Sequence, residues 1–262
     1  MRSKTKNSYL KLMMIMLVGM FIGGILGGWG YYFFGGKQEN IGVFASEILA
    51  QIQNFILPIL VVITILAIIL GEYSLRKMKV IAEKISQSED EECDILEYEE
   101  EKIGAFGLNV NVISQILSIL VLSTGYSSSY LEIVKGNISW FLYGCIVFIL
   151  CNVYNGIWQI RYVKLIQKIN PDKKGDPASM KFQQQWLESC DEAEREVIYQ
   201  SSYKTYMTLS KVVPLLLFVT MILNLLFDTG ILAIIVVAII WMIGSLSYTH
   251  SSVALKGKKL QN

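Results

Sequence analysis

The sequence predicts an all-α fold: a polytopic membrane protein with six transmembrane helices arranged as three hairpins, plus two cytoplasmic helical hairpins. The 262-residue chain is 53% hydrophobic and only 17% charged, whereas soluble domains carry about 25% charged residues. The few charges are concentrated, so long stretches have none. Lysine and arginine are concentrated in every second connection between those stretches. This composition excludes a disordered chain and an ordinary soluble enzyme.

Six segments are close to the length of about 20 apolar residues that a helix needs to cross a bilayer. They lack the alternating pattern of barrel strands, and helices satisfy their own backbone polar groups in lipid. The predicted spans are about residues 12–34, 50–71, 105–125, 138–159, 206–227 and 230–249. We expect residues 1–262 to form a single integral membrane domain, with polar linkers at about 73–104 and 161–204.

The basic residues predict the orientation of these spans, because lysine and arginine accumulate in cytoplasmic loops. Of 23 basic residues, only Lys37 and Lys135 fall in the loops after spans one and three. Both termini and both long linkers are therefore predicted to be cytoplasmic. The apolar segment after the basic N-terminus is too long for a signal-peptide core of about 7–15 residues, so we interpret it as a retained span.

The two linkers resemble each other, which predicts an internal repeat of two membrane helices plus a linker. Repeats of this kind are common in transporter-type proteins. The shared patterns are Arg76-x-x-Lys79-x-Ile81 with Arg161-x-x-Lys164-x-Ile166, and Cys93-Asp94-x-x-Glu97-x-Glu99 with Cys190-Asp191-x-x-Glu194-x-Glu196.

Helical structure is expected to continue from spans two and four into the linkers, because no helix breaker lies between Gly71 and Ser86 or between Ile157 and Asn170. Turn-forming residues then cluster at 170–177. A return helix is predicted from about Ser179. Its apolar face would carry, at helical spacing, Phe182, Trp186, Ala193 and Val197.

Carboxylates are the most unusual feature of the linkers, with nine of them between residues 89 and 101. They could form a docking surface for a basic partner or a loose divalent-cation site, since carboxylates at i, i+3 and i+4 share a helix face. They could equally be a solvated helix surface. The candidate docking residues in the two linkers are Glu97, Glu99, Glu100, Asp191, Glu192, Glu194 and Glu196.

The first span carries two rows of glycines at four-residue spacing, which lets helices approach closely in lipid. The rows consist of Gly19, Gly23 and Gly27, and of Gly24 and Gly28. We expect these rows to mark a tight helix contact. The partner helix could belong to the same chain or to a second copy in a homodimer.

Polar residues inside the spans form a candidate polar vestibule at the inner side of the membrane. Such residues can mark a substrate path, although they also join helices by hydrogen bonds. The residues chosen for the vestibule are Asn109, Asn111, Asn152 and Lys211.

Several forms of chemistry are excluded by missing motifs. A single histidine, His250, cannot build a zinc-protease site, and there is neither a G-x-S-x-G elbow nor a phosphate-binding loop. The four cysteines lack metal-ligand spacing, and the net charge of +1 does not indicate nucleic-acid binding. We therefore predict a protein that is not an enzyme, with no catalytic residues, no cofactor and no metal site.

The chain resembles the family called domain of unknown function 3169 in its six-span architecture and in the stretch Cys190-Asp191-Glu192-x-Glu194-x-Glu196, which leads through Tyr203 into span five. That family consists of bacterial membrane proteins, mainly from Gram-positive organisms, without an established activity. The resemblance implies a multi-pass protein of the bacterial cytoplasmic membrane. It implies no catalytic residues.

These observations lead to a functional hypothesis and its alternatives. The first is a non-enzymatic membrane subunit or accessory of a transport or peptide-immunity system, embedded in the lipid bilayer and working with a cytoplasmic partner such as a transporter ATPase. The alternative is a homo-oligomeric membrane sensor or scaffold that binds a cytoplasmic protein through its acidic hairpins. An enzyme acting on lipid at the inner surface is the third hypothesis, and it lacks a visible nucleophile–base pair.

Overall fold

The computed structural model describes residues 47–85, 87, 90–125, 138–227 and 229–261, together with the single positions 14, 18, 21 and 25. Every regular element in this described part is an α-helix, which confirms the all-α prediction. The helices are α1 (47–54), α2 (Ile56–Ile85), α3 (Asp90–Ser123), α4 (Ile138–Ile169), α5 (Phe182–Glu188), α6 (Glu192–Phe227) and α7 (Leu232–Gln261).

Five of these helices, α2, α3, α4, α6 and α7, are long and apolar enough to cross a bilayer. They fall on the second to sixth spans predicted from the sequence. The first predicted span, 12–34, lies outside the described residues apart from four single positions. These four positions are helical and exposed.

The chain divides into two compact units, and residues 46–195 form one of them. In this unit α2, α3 and α4 pack against one another in pairs. Their apolar core at one end consists of Ile56, Leu60, Leu122 and Phe141. At the same end the Gln53 side chain donates a hydrogen bond to the carbonyl of Thr124 over 2.8 Å, so it satisfies a carbonyl just after the end of α3.

The second predicted span, 50–71, contains a helix break at Phe55. Pro58 lies three residues later, and proline has no N–H to bond the carbonyl four residues before it. The Phe55 N–H is shared between the carbonyls of Gln51 and Ile52, at 3.2 and 3.1 Å. The predicted second span is therefore divided between α1 and α2.

Both predicted helix continuations are confirmed, since α2 ends at Ile85 and α4 at Ile169. The 30 residues of α2 correspond to about 45 Å of helix, which exceeds a hydrocarbon core of about 30 Å. The acidic segment is also helical, because α3 begins at Asp90 and runs without interruption to Ser123. The first linker thus consists mainly of the polar ends of two membrane helices.

The prediction of one continuous return helix from Ser179 is wrong. The structure has a short helix, α5, that ends at Glu188, and a second helix, α6, that begins at Glu192. Phe182 and Trp186 lie on α5 with ring centroids 5.5 Å apart, whereas Ala193 and Val197 lie on α6. The helix restarts because residues 191 and 194 form a reciprocal hydrogen-bonded cap at the N-terminus of α6.

The second compact unit comprises residues 1–45 and 196–262. Its described part holds most of α6 and all of α7. The short connection between them contains Gly230 with a φ of 84°, a backbone conformation that favours glycine. Tyr206 of α6 stacks on Tyr248 of α7 with ring centroids 4.2 Å apart.

Candidate functional site

A cluster of amide and hydroxyl side chains lies between α3 and α4, within their apolar segments. Asn111 donates through Nδ2 to the carbonyl of Asn155 over 3.1 Å, and Gln159 donates through Nε2 to Asn111 Oδ1 over 2.9 Å. Gln115 Nε2 reaches Asn152 Oδ1 over 3.3 Å. Interhelical hydrogen bonds hold helices together in lipid. The members of this amide cluster are Asn111, Ser114, Gln115, Asn152, Asn155 and Gln159.

Asn155 is the most deeply buried member of the amide cluster, with 2% of its surface exposed. Its Nδ2 lies 3.2 Å from Ser114 Oγ and 3.5 Å from the carbonyl of Asn111. Its Oδ1 is buried and has no hydrogen-bond partner among the described residues. The cluster is therefore closely packed, and its hydrogen bonds connect helices.

Trp158 fills the space where α2, α3 and α4 meet, next to the amide cluster. Trp158 of α4 is fully buried and donates through Nε1 to the carbonyl of Gly71 over 2.9 Å. A Cβ atom on Gly71 would lie 3.1 Å from this indole, and a Cβ on Gly107 would lie 2.5 Å from it and 2.3 Å from Ser74 Oγ. Both glycines are thus required by the close approach of the ring.

An ion pair joins α2 and α4 one turn beyond this junction. Arg161 donates to both carboxylate oxygens of Glu72, with Nη1–Oε1 and Nη2–Oε2 distances of 2.5 and 3.0 Å. Tyr154 also donates to Glu72 Oε1, over 3.4 Å. A two-bond arginine–carboxylate pair fixes geometry as well as charge. This pair uses the arginine that begins the second copy of the linker repeat.

The acidic segment of α3 presents most of its described carboxylates to the surroundings. Glu97, Glu99 and Glu101 are exposed, and none of them has an ion pair among the described residues. Glu97 accepts only a 3.7 Å contact from the Cys93 thiol four residues earlier. Glu100 differs, because only 7% of its surface is exposed.

Two large apolar side chains accompany these carboxylates on α3. Ile95 is 65% exposed and Tyr98 is 67% exposed. Both lie in the acidic half of the helix, before the most apolar part of the span. This part of α3 therefore combines unpaired negative charge with exposed apolar surface. Ile95, Tyr98 and Glu99 lie on one side of the helix and Glu97 and Glu101 on the adjoining flank, so together they cover an arc of about 200°. We call this exposed arc the acidic-apolar patch (Ile95, Glu97, Tyr98, Glu99 and Glu101).

Three of the four candidate docking residues of the second linker make hydrogen bonds within the linker itself. The backbone N–H of Glu194 donates to Asp191 Oδ1 over 2.8 Å, and the N–H of Asp191 donates to Glu194 Oε2 over 3.0 Å. This reciprocal pattern is a capping box, which satisfies two free N–H groups at a helix start. Glu192 and Glu196 are exposed, and Glu196 accepts a hydrogen bond from Gln200.

Lys173 and Arg195 complete the second linker. Lys173 forms an ion pair with Glu194, and its Nζ lies 3.6 Å from the sulfur of buried Cys190. Burial acts to lower the pKa of Lys173, but the hydrogen bond to Glu194 and the nearby negative charges outweigh it and raise the pKa. Arg195 donates to the carbonyls of Leu187 and Glu188 at the end of α5.

The structure brings together two of the four residues predicted as a polar vestibule. Asn111 and Asn152 belong to the amide cluster, whereas Asn109 is exposed and takes no part in it. Lys211 is an exposed residue of α6 in the other compact unit. The predicted packing glycines of span one all lie outside the described residues.

Sequence reasoning missed the residues that join the three helices most closely. Gly71, Gly107 and Trp158 were treated only as parts of apolar spans, although the glycines of span one were singled out. The sequence held only a partial signal, because glycines within helical segments are costly unless something packs against them. Helical Gly156 and Gly244 have nothing within 4 Å of an added Cβ, so this signal does not separate them from Gly71 and Gly107.

Fold and site together define an all-α membrane protein with a hydrogen-bonded three-helix unit and two polar linkers. The family model for the protein family of unknown function DUF3169 matches residues 6–252, nearly the whole chain. The chain belongs to this family. Comparison with curated proteins and with solved structures gives no match. Within the described part, no group of three His, Cys, Asp or Glu side chains is placed to hold a metal ion.

Proposed function

We propose that the protein is a non-enzymatic membrane subunit or accessory of a transport or peptide-immunity system, and that a cytoplasmic partner such as a transporter ATPase binds it. We place both termini and both linkers in the cytoplasm of a bacterium, in keeping with the distribution of lysine and arginine. The chain has no nucleotide-binding loop of its own, so energy for transport would come from that partner.

The observation that carries the proposal is the contrast between the two acidic linkers. Asp191 and Glu194 already satisfy helix N–H groups, and Glu194 also pairs with Lys173. Glu97, Glu99 and Glu101 have no such partners in the described part of the chain. Exposed carboxylates next to exposed apolar groups are suited to a partner with a basic rim, because such charges guide association and select the partner.

The acidic-apolar patch is also connected directly to the membrane unit. It lies on the same uninterrupted helix as Gly107, Asn111 and Ser114, which hold α3 against its neighbours. A force applied by a partner at Tyr98 would therefore act on the packed part of α3 without an intervening loop. This continuity supports a role in which partner binding is communicated to the membrane-spanning helices.

Site-specific photocrosslinking in living cells tests the proposal. A benzophenone amino acid replaces Tyr98 in the full-length protein, and the adduct is identified by mass spectrometry. We expect a cytoplasmic nucleotide-binding protein, and we expect its adduct to disappear in the variant Glu97→Lys/Glu99→Lys/Glu101→Lys. The matched control is the same amino acid at Tyr199, an exposed residue of the second linker.

Two results would contradict this proposal. An adduct that is insensitive to the three charge reversals would show that the acidic-apolar patch does not bind through charge. An adduct between two copies of the chain would favour the alternative, a homo-oligomeric sensor or scaffold. The exposure of α6 and α7, whose most apolar 18-residue stretches are 6% and 0% buried, gives that alternative its support.

A further inference from the structure

A pocket of about 430 Å³ lies where the second linker returns along α4. The α4 side of its wall consists of Gly156, Gln159, Ile160 and Val163, and the returning segment 177–183 contributes Ser179 and Gln183 among its residues. The volume is within the range of about 300–1,000 Å³ that is typical of small-molecule sites. The pocket shares no residue with the acidic-apolar patch, so a ligand bound in it is independent of the proposed function.

The lining chemistry indicates an uncharged occupant with hydrogen-bonding groups. Two amides and a hydroxyl stand among aliphatic and aromatic side chains, and the described residues that line the pocket include no charged side chain. A charged group would find no counter-charge among these lining residues, and an opposite charge is what normally offsets the hydration that a charged group loses on binding. Gln159 Nε2 already donates to Asn111 Oδ1, but a purely apolar occupant would displace water from Gln159 Oε1 and from the Gln183 amide without replacing its hydrogen bonds, which is also unfavourable.

The position of the pocket indicates that this occupant comes from the bilayer. The fourth span is predicted to end near residue 159, so the pocket lies across the boundary between the apolar part of α4 and its polar extension. The returning segment carries Met180, which is completely exposed, and Phe182, which contacts Trp186. Aromatic side chains are enriched at the level of lipid headgroups.

One residue of the pocket wall, Gly156, has open space around it. A Cβ atom added at Gly156 would meet nothing within 4 Å, in contrast to Gly71 and Gly107 in the same unit. We propose that this pocket binds an uncharged, hydroxyl-bearing membrane lipid of the diacylglycerol class. Its hydroxyl group donates to Gln159 Oε1 and accepts hydrogen bonds from Gln183 Nε2 and Ser179 Oγ, and its acyl chains extend along Ile160 and Val163 toward the bilayer.

Photolabelling of the full-length protein tests this site. The protein is placed in nanodiscs of phosphatidylcholine that contain a diacylglycerol with a diazirine in one acyl chain. We expect adducts on peptides that cover residues 156–163 or 177–183. Gly156→Leu fills the pocket and should lower this labelling at least about fivefold, which corresponds to about 1 kcal/mol of binding free energy. Gly244→Leu is the matched control, because Gly244 also has open space around it.

A second pair of variants keeps the test independent of folding. Gln183→Leu removes one lining amide and should lower labelling about threefold, as expected for one hydrogen bond. Gln184→Leu changes the neighbouring glutamine, which bonds Glu188 instead, and should leave labelling unchanged. Labelling that neither Gly156→Leu nor Gln183→Leu reduces would overturn the proposal.

A second photolabel and a soluble competitor identify the chemical class of the occupant. Phosphatidic acid with the same diazirine chain should label these peptides less than the diacylglycerol does, because it carries a charged headgroup. Equal labelling by both lipids would overturn the assignment to an uncharged lipid. Excess glycerol should not compete, and competition by glycerol would show that the pocket takes a soluble polyol rather than a lipid.

Discussion

Helices α3 and α6 have the same mean hydropathy, 1.9 over their most apolar stretches, but 28% of that stretch is buried in α3 and only 6% in α6. Hydropathy therefore selects both as membrane spans and does not distinguish a helix packed by its neighbours from one that is exposed. The distinction comes from glycine, amide and tryptophan residues. Gly107 and Asn111 of α3 meet complementary groups on α2 and α4, among them the ring of Trp158.

The physical reason is the absence of a hydrophobic driving force between helices in lipid. Leucine gains little by exchanging a lipid neighbour for a protein neighbour. Close approach at glycine and hydrogen bonds between side chains do favour association. The three-helix unit has both at one level, since Trp158 contacts Gly71 and Gly107 and the amide cluster follows along α3 and α4.

The largest effect is expected from Gly107→Ala. The added Cβ would lie 2.3 Å from Ser74 Oγ and 2.5 Å from the Trp158 ring, so α3 must move away or the ring must shift. Overpacking of this kind costs about 1–3 kcal/mol, and we expect the upper part of that range. Thermal unfolding of the purified protein in detergent measures the effect.

The matched control for Gly107 is Gly244→Ala in α7, where the added Cβ meets nothing within 4 Å. It should leave the free energy of unfolding within about 0.5 kcal/mol. The losses caused by Gly107→Ala and by Trp158→Phe should add to less than their sum in the double variant, because phenylalanine lacks the ring atoms that clash with the added Cβ. Equal destabilisation by the two glycine substitutions would refute the contrast between α3 and α7.

A smaller effect is expected from Asn155→Leu in the amide cluster. The substitution removes the hydrogen bonds from Asn155 Nδ2 to Ser114 and to the carbonyl of Asn111. Interhelical hydrogen bonds in membranes contribute about 0.6 kcal/mol on average and about 1.7 kcal/mol at most, so we expect a loss of about 1 kcal/mol. Asn109→Leu is the control, because Asn109 is exposed. A stabilised Asn155→Leu protein would mean that the cluster serves a purpose other than holding α3 to α4.

The sequence predicted the elements of the fold better than the residues that join them. Runs of apolar residues and missing helix breakers were enough to place the five spans and the extensions to Ile85 and Ile169, because both depend on local composition. The junction at Trp158 depends on the rotation and level of three helices relative to one another. No pattern within a single helix records these, so Gly71 and Gly107 could not be told from exposed Gly156 or Gly244.

The amide cluster was half predicted for the same reason. Asn111 and Asn152 were selected because they are polar residues within spans, and the structure brings them together with Asn155, Gln115 and Gln159. Asn109 was selected on the same basis and is exposed. Asn109 and Asn111 are two positions apart, which is about 200° around a helix, so the pair could not share one face.

The linker repeat shows how one sequence pattern takes two structures. Cys93-Asp94-x-x-Glu97 lies inside the continuous helix α3. Cys190-Asp191-x-x-Glu194 instead covers the non-helical step between α5 and α6 and the first turn of α6. Asp-x-x-Glu is compatible with both a helix interior and a capping box. The second copy is preceded by the turn residues of 170–177 and by the short helix α5, so a new helix start is needed there.

The most local of the predicted effects tests this difference between the two copies. Asp191→Ala removes the acceptor of the Glu194 N–H, and loss of an N-cap side chain costs about 0.5–2 kcal/mol. Hydrogen–deuterium exchange should therefore accelerate at the amides of residues 192–195 while the amides of α3 keep their rates. Asp191→Ser retains a capping oxygen and should restore slow exchange.

Glu97→Ala, within the helix of the first copy, should change the free energy of unfolding by less than about 0.5 kcal/mol. If Asp191→Ala and Glu97→Ala changed the free energy of unfolding equally, α6 would not depend on its cap. The two copies of the repeat would then be structurally closer than their helices indicate.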